Sequence, residues 1–167
     1  FHLYNKHVSY IFKVLKNGHL GQLYYGKHIR DRESFDHLLE MQARSMAVCR
    51  FEGDLCFSLE HLKQEYPAYG SGDMRHPAMD IVQENGSRII DFTYQTYELV
   101  KGKPKLPGLP ATYVEDESEA TTLLVTMYDT VMETELVLSY TIYETLPAIC
   151  RNARFIHRGQ APISLET

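Results

Sequence analysis

Five consecutive residues, Glu115-Asp116-Glu117-Ser118-Glu119, form the densest acidic cluster in the chain. Paired carboxylates are what glycoside hydrolysis requires. The two groups must flank one bond, about 5–5.5 Å apart when configuration is retained and about 6.5–9.5 Å apart when it is inverted. Neighbours along one strand or turn point in different directions and do not meet that geometry, so the cluster reads as a solvated loop. Eight histidines stand at positions 2, 7, 19, 28, 37, 61, 76 and 157. None is four residues from another on a credible helix and none joins a cysteine at zinc spacing, so no metal site is expected. There is no G-x-S-x-G elbow and no phosphate loop, and no cofactor is expected. The segment from Glu65 to Ala78 (Glu-Tyr-Pro-Ala-Tyr-Gly-Ser-Gly-Asp-Met-Arg-His-Pro-Ala) is different. It crowds Pro, Gly and Tyr into an irregular loop with a close pair, Asp73 and Arg75. Such a loop can present a functional surface on a rigid scaffold. The pair can equally be spent on backbone groups or on each other. Both readings stand at this point.

The elements that would position these residues read as strands. Ser9 to Leu15 and Leu20 to Tyr25 are rich in aromatic and β-branched residues and flank Asn17-Gly18, a hairpin signal of the type I′ kind. A second hairpin is expected from Met79–Val82 through Glu84-Asn85-Gly86-Ser87 into Arg88–Leu99. There Ile90, Phe92 and Tyr94 share one face and Asp91, Thr93 and Gln95 the other. The turn also explains Asn85-Gly86-Ser87, which matches the weak glycosylation pattern. In a third pair, Leu123, Val125 and Met127 alternate with Thr122, Leu124 and Thr126, Asp129 interrupts, and Leu136, Leu138, Tyr140 and Ile142 then alternate with Val137, Ser139, Thr141 and Tyr143. Shorter strands are expected at Ala148–Phe155 and Pro162–Glu166. Helical evidence is limited to a turn or two at Ser34–Met41 and at Ser58–Gln64, with Ser58 as N-cap. Three Pro and two Gly between Gly102 and Pro110 predict a structured loop. With no alternation of helix and strand, the expected fold is all-β, an antiparallel β-sandwich with few short helical turns.

Composition narrows the function classes. The 167 residues suit one domain or two small ones, 44% are hydrophobic, 23% are charged and the net charge is −5. The 17 Lys and Arg are scattered, which argues against a nucleic-acid partner. No apolar run approaches the ~20 residues of a membrane span, and no charged-then-apolar leader is present. The first residue is Phe1 rather than Met, as expected of a segment of a longer protein. Three cysteines, Cys49, Cys56 and Cys150, read as reduced thiols in a cytoplasmic protein, although the spacing admits a Cys49–Cys56 bridge.

A series of short stretches resembles one family nearly end to end. They are Phe1-His2-Leu3; Ser9-Tyr10 with Asn17 to Gly21; Leu23 to Lys27; Phe57-Ser58-Leu59; and Glu65 to Gly70 with Asp73 to Ala78. Asn85-Gly86-Ser87, Lys101 to Lys105, Gly108 to Glu115, Glu119-Ala120 with Thr122-Leu123, Tyr140-Thr141 and Arg151 to Phe155 complete the set. On these the chain resembles the N-terminal domain of family 36 α-galactosidases. The resemblance implies the first part of a β-supersandwich that is longer than 167 residues. A (β/α)₈ barrel and a C-terminal β-domain would follow. It implies a retaining enzyme for terminal α-1,6-linked galactose, as in melibiose and raffinose, with both catalytic aspartates on the absent barrel. This chain alone would then hold no catalytic residue and be inactive. It implies a homotetramer in which N-terminal domains help to build interfaces and the pocket rim.

Some members touch galactose with an Asp just before the Phe-Ser-Leu stretch. The corresponding position falls near Ala43 and Arg44, where no Asp stands, and the nearest acids are Glu40 and Asp54. This departure leaves Arg44 as an expected donor to a sugar hydroxyl, with Asp73 and Arg75 as further candidate substrate contacts. The alternative, a stand-alone carbohydrate-binding module, would stack an aromatic ring on a sugar. There are 12 Tyr and no Trp for that role. Exposed tyrosine rows would instead fit an interface.

Overall fold

Alternation of apolar and polar side chains sets the four longest strands. These are β5 (Thr93–Lys101), β6 (Ala120–Asp129), β7 (Thr134–Tyr143) and β8 (Ile149–His157), which form an antiparallel sheet in the order β5-β6-β7-β8. The computed structural model describes residues 1–43, 51–70, 74–108 and 110–166. Because side chains alternate across a pleated sheet, register lines up Leu123 with Tyr140, Val125 with Leu138 and Met127 with Leu136 on one face. Ile149, Arg151, Ala153 and Phe155 of β8 continue the same face opposite Ile142, Tyr140, Leu138 and Leu136.

A second sheet covers that face. It contains β1 (His2–Tyr4), β2 (Val8–Val14) and β3 (Leu20–Lys27) in the order β1-β2-β3. Val8, Tyr10 and Phe12 of β2 enter the common core with the apolar rows of β6 and β7. Phe12 and Tyr140, both fully buried, stack with ring centroids 4.8 Å apart. The fold is thus the expected antiparallel sandwich. A third element, the ribbon of β4 (Asp80–Gln83) with β9 (Ile163–Glu166), adds buried Ile81 to the core. Arg88 clasps this ribbon by bonding Asp80 and Glu166. The other face of β2 is also covered, because Ile11 packs with Leu23 and Phe35.

The expected strands of β2, β3, β6, β7, β8 and β9 all form, but two expectations are corrected. The Asn17-Gly18 turn is not type I′. Gly18 N–H reaches Leu15 C=O at 2.9 Å and Leu15 N–H reaches His19 C=O at 2.7 Å, which is a three-residue loop. Only Gly18 is left-handed there (φ 83°), and a Cβ on it would also approach Thr93 Cβ to 3.1 Å. The turn at Glu84-Asn85-Gly86 repeats this form, with Gly86 at φ 81° and the Asn85 side chain accepting from Ser87 N–H. Its flanks, however, do not pair as a hairpin. β4 pairs with β9, residues 88–92 join no ladder, and β5 begins at Thr93 in the four-stranded sheet. Buried Ile90 and Phe92 are drawn into the core between the two ladders.

Helical content among the described residues is three single 3₁₀ turns, Asp36–Leu38, Phe51–Gly53 and Glu117–Glu119. The stretch after Ser58 makes one turn, Leu62 N–H to Ser58 C=O at 3.3 Å, and then runs beside β3. No helix among the described residues is long and apolar enough to cross a membrane. Cys56 and Cys150 are free thiols, so Cys56 forms no bridge; Cys49 lies outside the described residues. Phe12→Ala removes a buried ring at the sheet interface and is expected to cost about 3–5 kcal/mol. Val131→Ala, on a side chain 78% exposed, is expected to cost less than about 0.5 kcal/mol. Urea midpoints of the two variants measure the contrast.

Candidate functional site

The acidic cluster singled out above is a solvated turn. Asp116 caps the Glu117–Glu119 turn by accepting from Ser118 N–H at 2.8 Å, and the Ser118 hydroxyl and then this N–H hold its carboxyl below the usual range. Glu119 accepts from Glu115 N–H at 3.3 Å. Among the described residues no group of three His, Cys, Asp or Glu is placed to hold a metal ion. Arg44 and Asp73 lie outside the described residues. Arg75 Nη2 donates to the carbonyl oxygens of Leu59 (3.0 Å) and Leu62 (2.5 Å), tying its loop to the chain after Ser58. Of the acids near the Ala43–Arg44 position, Asp54 bonds Lys16 and accepts from Cys56 N–H at 2.8 Å. Lys16 in turn sits 4.5 Å over the Phe57 ring.

The group that the sequence pattern does not single out is Glu65. Its side chain has no exposed surface. Three groups from three strands converge on its carboxylate. Tyr10 of β2 donates its hydroxyl at 2.7 Å to each oxygen, Tyr140 of β7 donates at 3.0 Å, and Arg151 Nη2 of β8 lies at 2.7 Å. Arg151 Nη2 also donates to the Glu65 carbonyl at 3.2 Å, and its guanidinium lies 5.3 Å from the Tyr140 ring and 5.8 Å from the Tyr10 ring. Two hydroxyl donors and a guanidinium identify an ionised acid, since a carboxylate only accepts.

Backbone pairing carries Glu65 to this point. Gln22 N–H bonds Lys63 C=O at 2.8 Å and Glu65 N–H bonds Leu20 C=O at 2.9 Å, so residues 63–65 run along the free edge of β3. Register does the rest, because Tyr140 and Arg151 are directly opposed on β7 and β8. Burial pushes the Glu65 carboxyl above its ordinary value, against the opposing pull of Arg151, Tyr10 and Tyr140. Burial, and then the Glu65 charge, push both tyrosine hydroxyls above their usual range, so they stay protonated as donors. An open cleft of about 420 Å³ lies beside the cluster, lined by Tyr66, Ala78, Leu138, Asn152 and Ala153 as well as Glu65, Tyr140 and Arg151. With no exposed surface and three donors already bound, the carboxylate is taken up as an acceptor. The arrangement is a strut between sheets. Tyr10, Glu65, Tyr140 and Arg151 each fall inside one of the stretches that carry the family resemblance. Their convergence gives four of those scattered signatures one physical purpose.

Solved structures place this sandwich in the class of β-domains that open larger glycosidases. The α-galactosidase AgaA of Geobacillus stearothermophilus, solved in complex with raffinose, superposes with a TM-score of 0.92 at 41% identity, over 99% of this chain and 23% of that one. The α-galactosidase of Lactobacillus brevis superposes with a TM-score of 0.94 at 36% identity, over 99% of this chain and 22% of that one. Among curated relatives, AgaA is 41% identical over 165 residues, 99% of this chain and 22% of the relative. Alpha-galactosidase Mel36A of Lactobacillus acidophilus is 33% identical over 99% of this chain and 23% of its own length. The chain belongs to the Glycosyl hydrolase family 36 N-terminal domain family, whose model matches residues 18–167. It spans between a fifth and a quarter of the length of these relatives.

Arg151→Ala leaves the Glu65 carboxylate buried with its main counter-charge gone. The expected cost at neutral pH is about 2–4 kcal/mol, at the low side because the Arg151 side chain is 42% exposed and solvent screens part of the pair. The pH dependence follows from the raised folded-state value. A carboxyl shifted up from 4.5 favours folding most when protonated. Its favourable contribution is present below that ordinary value and lost as pH rises through the folded one. Removing Arg151 takes away a pull in the opposite direction and enlarges the shift. The stability gap between wild type and Arg151→Ala should therefore widen from pH 4 to pH 7, read from thermal melts at each pH.

Proposed function

We propose that this chain is the leading, non-catalytic part of a retaining α-galactosidase that removes terminal α-1,6-linked galactose, as from melibiose and raffinose. The catalytic pair would lie on a (β/α)₈ barrel outside these residues, followed by a C-terminal β-domain, in a cytoplasmic homotetramer. The domain's part would be to shape the rim of the sugar pocket and an oligomer interface. The observation that carries this reading is the match to family N-terminal domains over residues 18–167, with α-galactosidases as the relatives. Structures of AgaA hold raffinose and stachyose. The chain's own chemistry agrees, because Glu65 is locked in a strut and the acids at 115–119 face water.

Arg44 is the proposed sugar contact, as a hydroxyl donor where other members use a carboxylate. Asp73 and Arg75 belong to the same proposed rim. The two carbonyl bonds of Arg75 favour a bracing role for that residue. Exposed tyrosines are available for an interface at Tyr4, Tyr25, Tyr97 and Tyr113.

The division of labour is tested with a chromogenic α-galactoside. The 167-residue chain is expected to show no turnover, and the protein extended through the barrel is expected to be active. Turnover by the short chain would place the carboxylates among those assigned here to structure. In the extended enzyme, Arg44→Ala is expected to raise the Michaelis constant about tenfold with kcat little changed, the signature of a lost contact made equally in the ground state and the transition state. An unchanged Michaelis constant removes Arg44 from the pocket.

A further inference from the structure

Two three-residue loops carry Asn-Gly, and their backbones are alike. In the first, Leu15 N–H bonds His19 C=O at 2.7 Å and Gly18 N–H bonds Leu15 C=O at 2.9 Å. In the second, Gln83 N–H bonds Ser87 C=O at 2.9 Å and Gly86 N–H bonds Gln83 C=O at 2.8 Å. Gly18 and Gly86 are both left-handed, at φ 83° and 81°. Each Asn side chain accepts from the N–H two residues on, at 3.2 Å for Asn17 and 2.9 Å for Asn85. Local sequence and local geometry therefore do not tell the two asparagines apart.

Their surroundings do. Asn17 and Gly18 are half-buried, whereas Asn85 and Gly86 are exposed. Gly18 C=O accepts from Tyr94 N–H at 2.8 Å, and a Cβ on Gly18 would meet Thr93 Cβ at 3.1 Å. The next residue, His19, is buried and bonds Asp91 at 2.7 Å and Gln64 at 3.4 Å. A Cβ on Gly86 would meet nothing within 4 Å. Freeing Gly86 N–H breaks a bond within its own loop. Freeing Gly18 N–H also disturbs the contacts to Tyr94, Asp91 and Gln64.

The difference matters because asparagine is thermolabile, and a following glycine leaves its side chain open to attack. Once base removes its proton, the glycine amide nitrogen can add to the Asn side-chain carbonyl carbon. A C–N bond forms, ammonia leaves and a five-membered succinimide remains. Water then opens one of its two carbonyls, giving aspartate or isoaspartate. In sum an amide and water become an acid and ammonia. The attack needs Gly86 N–H released from Gln83 and the Asn85 side chain released from Ser87. An exposed loop tip supplies that opening at the low end of the free-energy range for local unfolding.

We propose that Asn85 is a site of spontaneous deamidation in the folded protein, and that the packing around Gly18 spares Asn17. The consequence falls on the ribbon of β4 and β9. Aspartate at position 85 keeps an oxygen that can accept from Ser87 N–H. Isoaspartate instead inserts one more carbon into the main chain, just ahead of Arg88, which bonds Asp80 and Glu166. Accumulating isoaspartate thus loosens that clasp and the ladder it holds.

The test uses the full-length protein, aged folded and, in parallel, unfolded in guanidinium chloride, then digested with trypsin. Cleavage after Lys and Arg isolates residues 17–27 and 76–88, each with a single Asn. In the folded protein, conversion to acid at position 85 is expected to be about tenfold or more faster than at 17, the difference set by local opening. The rate at 85 should rise in proportion to hydroxide, with isoaspartate identified by electron-transfer fragmentation. In the unfolded protein the two rates should be comparable. Equal rates in the folded protein, the same ratio folded and unfolded, or an Asn85 that stays intact on ageing overturns the proposal. Hydrogen exchange reads the consequence. The β4 amides are expected to exchange faster in aged than in fresh wild type, with no such change in Asn85→Gln, which does not form the five-membered ring. The same change in both proteins, or none in wild type, overturns the effect on the ribbon.

Discussion

A charged group without access to water has to be satisfied completely or not placed there at all. Glu65 imposes that condition on this domain. Meeting it requires β2, β7, β8 and the segment beside β3 to hold their relative positions at once, because each contributes one partner. Apolar packing of Phe12 on Tyr140 supplies contact area without strong direction. The carboxylate supplies direction. A slip of one residue in the β7–β8 register would turn Arg151 to the opposite face and leave the acid unpaired.

The rest of the sandwich can be read outward from this point. Residues 63–65 extend the smaller sheet past β3, so that this sheet reaches β8 on one side. On the other side it stops at β1 and leaves β5 overhanging. A loop rich in Pro, Gly and Tyr follows Glu65 directly. Arg75 then ties that loop back to the Leu59–Leu62 turn. The strut and this loop are one connected set of bonds.

Much of this was legible in the amino-acid order. Leu123-Val125-Met127 and Leu136-Leu138-Tyr140-Ile142 announced β6 and β7, since a period of two sustained along a strand is what a pleated sheet with one face in the core produces. Asn-Gly marked both turns, but the dipeptide does not reveal loop length, and in both cases one extra residue made it a three-residue loop. The pairing of β4 with β9 was not legible, because a turn signal reports local geometry and not which strand wins the edge. Glu65 was hidden for a related reason. Its partners stand 55, 75 and 86 residues away, and no local pattern encodes a contact at that distance. In the sequence its partners stand out only as separate family signatures.

Those sequence distances also govern how the domain comes into being. The Asn5 side chain donates to the carbonyls of Tyr143 (2.6 Å) and Leu146 (2.8 Å), and Tyr10 shares its acid with Arg151. Tyr10 therefore waits some 141 residues (151 − 10) for Arg151, roughly 7–28 s at ordinary ribosomal speeds of about 5–20 residues per second. Until β6 and β7 are made, Tyr10, Phe12 and Leu20 are apolar surface with no facing sheet. Transiently exposed apolar surface of this kind is prone to aggregate, and slowing elongation between β3 and β8 would lengthen its period of risk.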